Sequence, residues 1–369
     1  MIDVAKKDNP QINTVNSLSS SKENIFLIVS GVSNAIFVTL GIGMLIVAIA
    51  NLKHWSALNQ IGLITQVLMA PAIGAAVAHQ LKTNTLVMFS SMITATVGAN
   101  NVFFSEKTVN AITATGHLLS QPIGSSVFMI GQPISALGGA IIATLIGKKL
   151  SGKTPLDMFL VPFCATMFGS IIALGLAAIT TPALIWISKI IAKSMIVNPF
   201  VGSISVALVW SIFLMTPASS AALAIAIMLD PLSSGAALLG TTAQYVSYTV
   251  MSFRVNRFGA NIAQGLITPK VQFGNITKNP YILIPGMVSS SIVAPIGTML
   301  FHFSTTYKLA GLGTNSLIVP LNFASQSPSK LTVYIILGIV MPSIISITML
   351  KILKACHKVK EDDMKMHIV

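Results

Sequence analysis

The sequence predicts an all-α, polytopic membrane protein of about ten transmembrane helices with broken or re-entrant hairpins. Three observations predict it. Only 8% of the 369 residues are charged, against about a quarter in an average soluble domain. The apolar share is 53% and the mean hydropathy is +0.82, more than a soluble core can absorb without leaving sticky surface. Charged residues also leave between them uncharged runs long enough to cross a bilayer. Disordered, collagen-like and ordinary cytosolic chains are thereby excluded. The net charge of +13 comes from 22 Lys and Arg against 9 Asp and Glu. In a membrane protein such a surplus marks cytoplasmic loops and the lipid surface, not a nucleic-acid partner. Cys164 and Cys356 offer neither a disulfide framework nor a CxxC pair.

In chain order, residues 1–24 are polar and rich in Ser, Asn and Lys, and read as a flexible cytoplasmic N-tail. They have no signal-peptide pattern, since the following apolar run is too long and has no small-residue cleavage site. The membrane domain is expected over 25–353. Its uncharged stretches run over 24–52, 54–81, 83–105, 108–147, 158–188, 194–229, 231–253, 279–307 and 331–350, and about 20 apolar residues make one crossing. Stretch 108–147 holds one crossing preceded by a polar, Gly-rich approach, Thr113 to His117. Asp157 stands where an acid stabilises a helix start, whereas Asp230-Pro231 reads as a helix stop. Ala183 to Lys193 is amphipathic at helical spacing and is expected to lie flat at the interface. Residues 354–369 form a basic cytoplasmic C-tail.

Lysine density sets the orientation. The N-tail (Lys6, Lys7, Lys22), the loop Lys148 to Lys153 and the C-tail (Lys351, Lys354, Lys358, Lys360, Lys365) are separated by even numbers of spans, which puts all three in the cytoplasm of a cell-membrane protein. Lys189/Lys193 and Arg254/Arg257 then fall on the far side, unless the arginines instead face a polar cavity.

Between residues 24 and 360 the only acids are Glu106, Asp157 and Asp230. That scarcity argues against hydrolytic or metal-assisted chemistry inside the membrane, which needs clustered carboxylates or His. It equally weakens an ion-coupled carrier, which needs intramembrane acids. His79, His117 and His302 stand alone, so no metal is expected, and no Walker or dinucleotide fingerprint points to a cofactor. The second half of the chain carries the signal. Pro217, Pro231, Pro269, Pro280, Pro285 and Pro295 interrupt apolar helices beside Gly, Ser or Thr, and broken helices survive at membrane depth only inside protein or around a wet cavity. Ser219 and Ser220 follow Pro217 at a half-helix start, where a sugar hydroxyl, phosphate or carboxylate could bind. Gln264 and Thr268 lie in one Gly-containing break, and Gly311, Thr314, Asn315 and Ser316 in another. Freed backbone groups and short polar side chains suit a neutral polyol. The two breaks share the pattern G-L-x-T, at Gly265 and Gly311. Arg254, Asn256 and Arg257 form a possible anion site. Gln132, in an apolar span before Pro133, needs a hydrogen-bond partner. Each of these also has a plain reading as cap, turn or packing residue.

Several ordered segments together resemble a known family. They are Gly131-Gln132-Pro133; Gly147 to Asp157; Thr216-Pro217-Ala218-Ser219-Ser220-Ala221-Ala222; Phe253 to Arg257; Gln264-Gly265-Leu266 with Asn275 to Pro280; and Gly311 to Ser316. The chain from about residue 25 to 350 is similar to the phosphotransferase-system EIIC-like membrane proteins, the perfringolysin-regulator-type IIC permease relatives. The resemblance implies a IIC-permease-like fold, usually homodimeric, in which a substrate chamber moves across the bilayer against a dimerisation scaffold. It implies a membrane permease subunit of a sugar uptake system with separate IIA/IIB-type phosphocarrier partners, since no nucleophile for phosphate transfer is found here. Two positions depart from the family pattern: Gln132, where relatives often carry an acid, and the motif at Gly265, where Ile267 and Pro269 replace small residues. Two other functions fit the same residues, namely a non-transporting membrane regulator or sensor with this fold, and a carrier of small organic anions.

Overall fold

The computed structural model describes residue 25 and residues 27–53, 55–113 and 116–366. The expected N-tail, and Ala114 and Thr115 of the polar approach, lie outside them. The chain is 75% helical with few strands, as the composition dictates, because only intrasegment hydrogen bonds satisfy a backbone in lipid.

The first half holds six helices. Helix α1 (Leu27–Asn51) contains a π turn at Phe37–Gly41. Helices α2 (Ser56–Val67) and α3 (Met69–Gln80) form a pair bent by 47°. Helix α4 (Thr85–Gly98) is capped by Asn84, whose side chain accepts from Val87 N at 3.0 Å. Helix α5 (Pro133–Leu150) starts on Gln132. Helix α6 (Asp157–Val197) runs 41 residues, about 60 Å, twice the roughly 30 Å hydrocarbon core. Small residues let these helices touch backbone to backbone: Ser91 Oγ donates to Gly74 O at 2.9 Å and to Ala140 O at 3.2 Å. Val32, Ile36, Met69, Ile73, Ala95, Ala136 and Ala140 form this half's core.

Two expectations change here. The polar approach before α5 is a β excursion. Strand β1 (Val102–Phe104) pairs antiparallel with β4 (Ser126–Phe128), and β2 (Val109–Ile112) with β3 (Leu118–Gln121). β-Branched and aromatic residues between Thr, Asn and Ser favour strands, and Gly116 and Gly124 supply the positive-φ corners. The amphipathic segment 183–193 does not lie apart at the interface. It continues α6 through Pro182, which sits inside the helix. Asp157 does open α6 as expected: its carboxylate accepts from Gly152 N, from Thr154 N at 3.0 Å and from Thr154 Oγ1 at 2.8 Å.

The second half contains α7 (Pro199–Met215), α8 (Ser220–Ala226), α9 (Pro231–Ser252), α10 (Phe258–Ile262), α11 (Phe273–Lys278), α12 (Pro280–Leu300), α13 (Ile318–Gln326) and α14 (Pro328–Ala355). Asp230-Pro231 begins a helix and does not stop one. The Asp230 carboxylate accepts from Leu232 N at 3.1 Å and Ser233 N at 3.0 Å, an N-cap with Pro at the first turn. Hydroxyl pairs tie the long helices: Ser203 to Thr298 at 2.6 Å, Ser211 to Ser290 at 2.9 Å and Ser247 to Ser346 at 2.6 Å. Among the described residues five helices are long and apolar enough to cross a membrane alone, six if α2 and α3 count as one span, with α4 and α7 as shorter apolar helices. The expected stretch 231–253 is the unbroken 22-residue α9, which is too polar to count among them, and breaks and hairpins take up residues 258–278 and 304–326.

These pairings fix direction. Met195 against Gly202, and Leu184 beside Val209 and Phe213, make α7 antiparallel to α6. Ser203–Thr298 and Ser211–Ser290 make α12 antiparallel to α7, and Gly286 against Gln244, Ser290 against Gly240 and Gly297 against Leu239 make α9 antiparallel to α12 and so parallel to α7. So α7 and α9 both point back toward the end where α6 starts, the end holding Lys148, whose Nζ donates to Leu81 O at 3.0 Å. Arg254 and Arg257 follow α9 and are therefore at the Lys148 end, not the far side. They also stand beside the C-terminal segment, since Asn256 Nδ2 donates to Met364 O at 2.9 Å and Asn256 Oδ1 accepts from Met366 N at 2.8 Å. Lys189 and Lys193 stay near the opposite end.

Candidate functional site

Two re-entrant hairpins and one elbow converge inside the second half. The first hairpin, residues 258–278, enters from the Lys148 end. Its base is pinned by Asn261 Nδ2, which donates to Phe253 O at 3.0 Å and Asn256 O at 3.2 Å. At its tip a π turn, Ala263–Ile267, gives way to extended Thr268 and a 3-10 turn, Pro269–Gln272, because Pro269 supplies no N–H and excludes helix at the residue before it.

The second hairpin, residues 304–326, enters from the opposite end. Thr305 N donates to Pro231 O at 3.0 Å, Thr241 Oγ1 to Ala310 O at 3.4 Å and Tyr334 OH to Gly313 O at 3.0 Å. Gly313, Ser316 and Leu317 turn at its tip with φ of 58°, 50° and 56°. For Ser and Leu that left-handed turn costs on the order of 1 kcal/mol each. Gly313 is required twice over, because a Cβ there would lie 2.5 Å from the Tyr245 ring.

The elbow is Thr216 to Ser219, where Pro217 separates α7 from α8. Ser220 Oγ donates to Gly311 O at 2.9 Å and Trp210 Nε1 to Ser220 O at 3.2 Å. A Cβ on Gly311 would lie 2.4 Å from Ala221 N, so the two chains meet backbone to backbone. The hairpin tips meet as well: Thr314 Oγ1 donates to Gly265 O, and Tyr245 OH donates to Ile267 O at 3.0 Å. The two G-L-x-T segments of the sequence are thus in direct contact.

At this junction lies a cavity of about 40 Å³ lined by Ser219, Ser220, Thr268, Lys270, Gly311 and Asn315 from the second half, and by Ile36, Leu40, Gly41 and Met44 from α1. Five of the nine sequence-predicted residues therefore line one space, and Thr314 ties its walls. The other three stand elsewhere. Gln264 is buried behind the first tip, where its Nε2 donates to Ser252 Oγ at 2.7 Å and Asn261 Oδ1 at 2.9 Å and its Oε1 accepts from Gln272 Nε2 at 2.8 Å. Asn256 holds the C-terminal segment. Gln132 caps α5 by accepting from Ile134 N at 3.4 Å, and lines a separate cavity of about 260 Å³ that Ser219 and Leu223 also line. Ser219 borders both spaces.

Sequence reasoning missed Lys270. It is buried, and its Nζ donates to Phe213 O at 3.2 Å, to Thr216 O and to Ala218 O at 2.7 Å. One ammonium thus holds the open C-terminal carbonyls of α7 and binds the elbow to the first hairpin. The signal was present: Lys270 is the one charged residue between Arg257 and Lys278, set between a Pro and an apolar turn. Arg254 and Arg257 are exposed on the turn after α9, remote from this cavity.

A family model described as phosphotransferase system, EIIC matches residues 26–366, nearly the whole chain. Among curated protein sequences none matches it.

Proposed function

We propose, from the premise that this chain belongs to the phosphotransferase-system EIIC family, that it binds a small hydroxylated molecule where its hairpin tips meet and translocates it by alternating access. The chain is an integral membrane permease subunit of that system, and the family brings with it a sugar substrate and IIA and IIB components. The observation that carries the reading is the meeting of two hairpins from opposite ends at one polar junction, Thr314 on Gly265 O and Ser220 on Gly311 O. Sugar hydroxyls need several oriented donors and acceptors in an otherwise apolar setting, and the junction offers Asn315, Ser219, Ser220, Thr268 and the backbone carbonyls of both tips.

The cavity of about 40 Å³ is far below the roughly 300 Å³ of ordinary ligand pockets, so loading requires opening. Each half has its own core, and at the cavity the contacts across the junction are few in polar groups: Asn315 Nδ2 meets the Met44 sulfur at 3.5 Å, and Gly41 packs against Ile267. Rigid-body movement of the second half against the first would open the cavity to one side and then the other. In this reading the Lys148 end and both termini are cytoplasmic, a IIB-type partner phosphorylates the substrate there, and the first half, with the exposed apolar face of α6, pairs two copies into a homodimer.

The test is thermal stabilisation of the detergent-purified protein against hexoses, hexitols and their sugar acids, since a ligand that binds only the folded form raises stability by mass action. At least one of these should raise Tm, and the Ser220→Ala/Thr314→Ala double variant should lose that rise while remaining folded. Undiminished stabilisation of the double variant would place the site elsewhere.

A further inference from the structure

The charge balance of the junction narrows the substrate class. Lys270 is the one ionisable group lining the cavity with a formal charge. Its partners are three neutral carbonyls, those of Phe213, Thr216 and Ala218. No carboxylate reaches it among the described residues. Of the acids between residues 24 and 360, Glu106 is exposed just beyond β1, Asp157 is folded onto Gly152 and Thr154, and Asp230 caps α9. The one ion pair among the described residues, Lys354 with Glu361 at 3.8 Å, is in the C-terminal segment. A buried ammonium held only by dipoles is costly, and a counter-charge repays the cost when the geometry permits direct contact.

Second, the groups beside the ammonium match an anion that also carries hydroxyls. Asn315 points one Nδ2 donor at the Met44 thioether at 3.5 Å and also lies within hydrogen-bond reach of the Tyr245 hydroxyl; the thioether is a poor acceptor that a carboxylate oxygen outcompetes. Acceptors for hydroxyls are close by in Gly311 O, Gly265 O and Ile267 O, each of which now receives a single protein hydroxyl. A neutral sugar would leave Lys270 uncompensated, and an anion without hydroxyls would leave those carbonyls unused.

We propose that the ligand of this site is a small polyhydroxy carboxylate, a uronate or aldonate, whose carboxylate takes the place of one or more of the elbow carbonyls on Lys270. The inference rests on the reading of the junction as the substrate site and names its substrate class. Exchange of carbonyls for carboxylate also loosens the tie between the elbow and the first hairpin, so ligand entry and opening of the junction are one event.

Binding of matched pairs to the full-length purified protein decides it: glucose against glucuronate, glucitol against gluconate and galactose against galacturonate, at constant ionic strength, with propionate and succinate as anions lacking hydroxyls. At least one sugar acid should bind about tenfold or more tightly than its neutral partner, a difference of about 1.4 kcal/mol. Lys270→Gln, which keeps two N–H donors for the carbonyls, should erase the difference, and Lys270→Arg should retain it. If Lys270→Gln does not fold, the matched pairs on the natural protein still decide. A neutral partner binding as tightly as its acid overturns the anion inference and leaves the junction reading standing. A preference that survives Lys270→Gln overturns it too. Propionate or succinate binding as well as the sugar acids overturns the polyhydroxy class, and no binding by any of these ligands overturns both readings.

Discussion

At Gly311 the absence of a side chain lets the second hairpin touch the start of α8, with the position of a Cβ only 2.4 Å from Ala221 N. Backbone cannot rotate aside as a side chain can, so Gly311→Ala should cost about 1–3 kcal/mol and lower Tm by several degrees, with ligand stabilisation lost. Thermal melting of the purified variant checks both; an unchanged Tm would show that the two segments are not packed as described. Thr314→Val keeps the shape but removes the hydroxyl that joins the hairpin tips at Gly265 O. It should cost about 1 kcal/mol in the melting midpoint and weaken ligand binding more than it weakens the fold. Much of the junction was legible in the sequence because Gly, Pro, Ser and Thr in apolar runs have few uses other than breaks. Lys270 is passed over although it stands alone between Arg257 and Lys278, because the break reads from its Gly, Gln and Thr and a single lysine there looks like any surface lysine. Asn256 misled for a related reason: its partner Met366 is 110 residues away, and no local pattern announces a contact of that range.

On the scale of elements, the C-terminal segment is more than a charged tail. A ladder of amides grips its backbone: Gln272 Nε2 donates to Met364 O at 3.0 Å, Asn275 Nδ2 to Lys365 O at 3.0 Å, and Asn279 Nδ2 to Lys358 O at 2.9 Å. Val359 and Met364 are buried beneath it. The segment therefore clamps the base of the first hairpin, whose tip carries Lys270. Asn256→Ala removes two of the holds, those to Met364 O and Met366 N, each worth about 1 kcal/mol. It should speed tryptic cleavage after Lys358, Lys360 and Lys365 several-fold while the remainder of the chain stays protected. Cleavage at the natural rate would mean the clamp is weak. The sequence pointed to helices and breaks in this region, but not to the β excursion of 102–128 or to α6 as one 41-residue rod. Hydropathy registers how apolar a stretch is. It does not register whether a proline such as Pro182 ends a helix or is accommodated in it.

At the scale of the whole molecule, each half has a core of its own and further clusters join them through α6 and α7, and the proposed transport rests on relative movement of the halves. Gly41 and Met44 of α1 meet Ile267 and Asn315 of the two hairpins across the junction. A disulfide between Met44→Cys and Asn315→Cys, in a chain whose Cys164 and Cys356 have been replaced, should hold the halves together. It should abolish any ligand-dependent change in the labelling of Ser219→Cys until reduced, and labelling before and after reduction checks this. The central claim is that the junction is reached alternately from the two faces of the membrane, and Ser219, which borders both the junction cavity and its neighbour of about 260 Å³, is the place to test it. The most direct measurement is labelling of Ser219→Cys by a membrane-impermeant maleimide in right-side-out and inside-out vesicles, with and without a sugar acid. Alternating access predicts labelling from both faces, slowed by the ligand on each. Labelling from one face alone, or at a rate the ligand leaves unchanged, would contradict it.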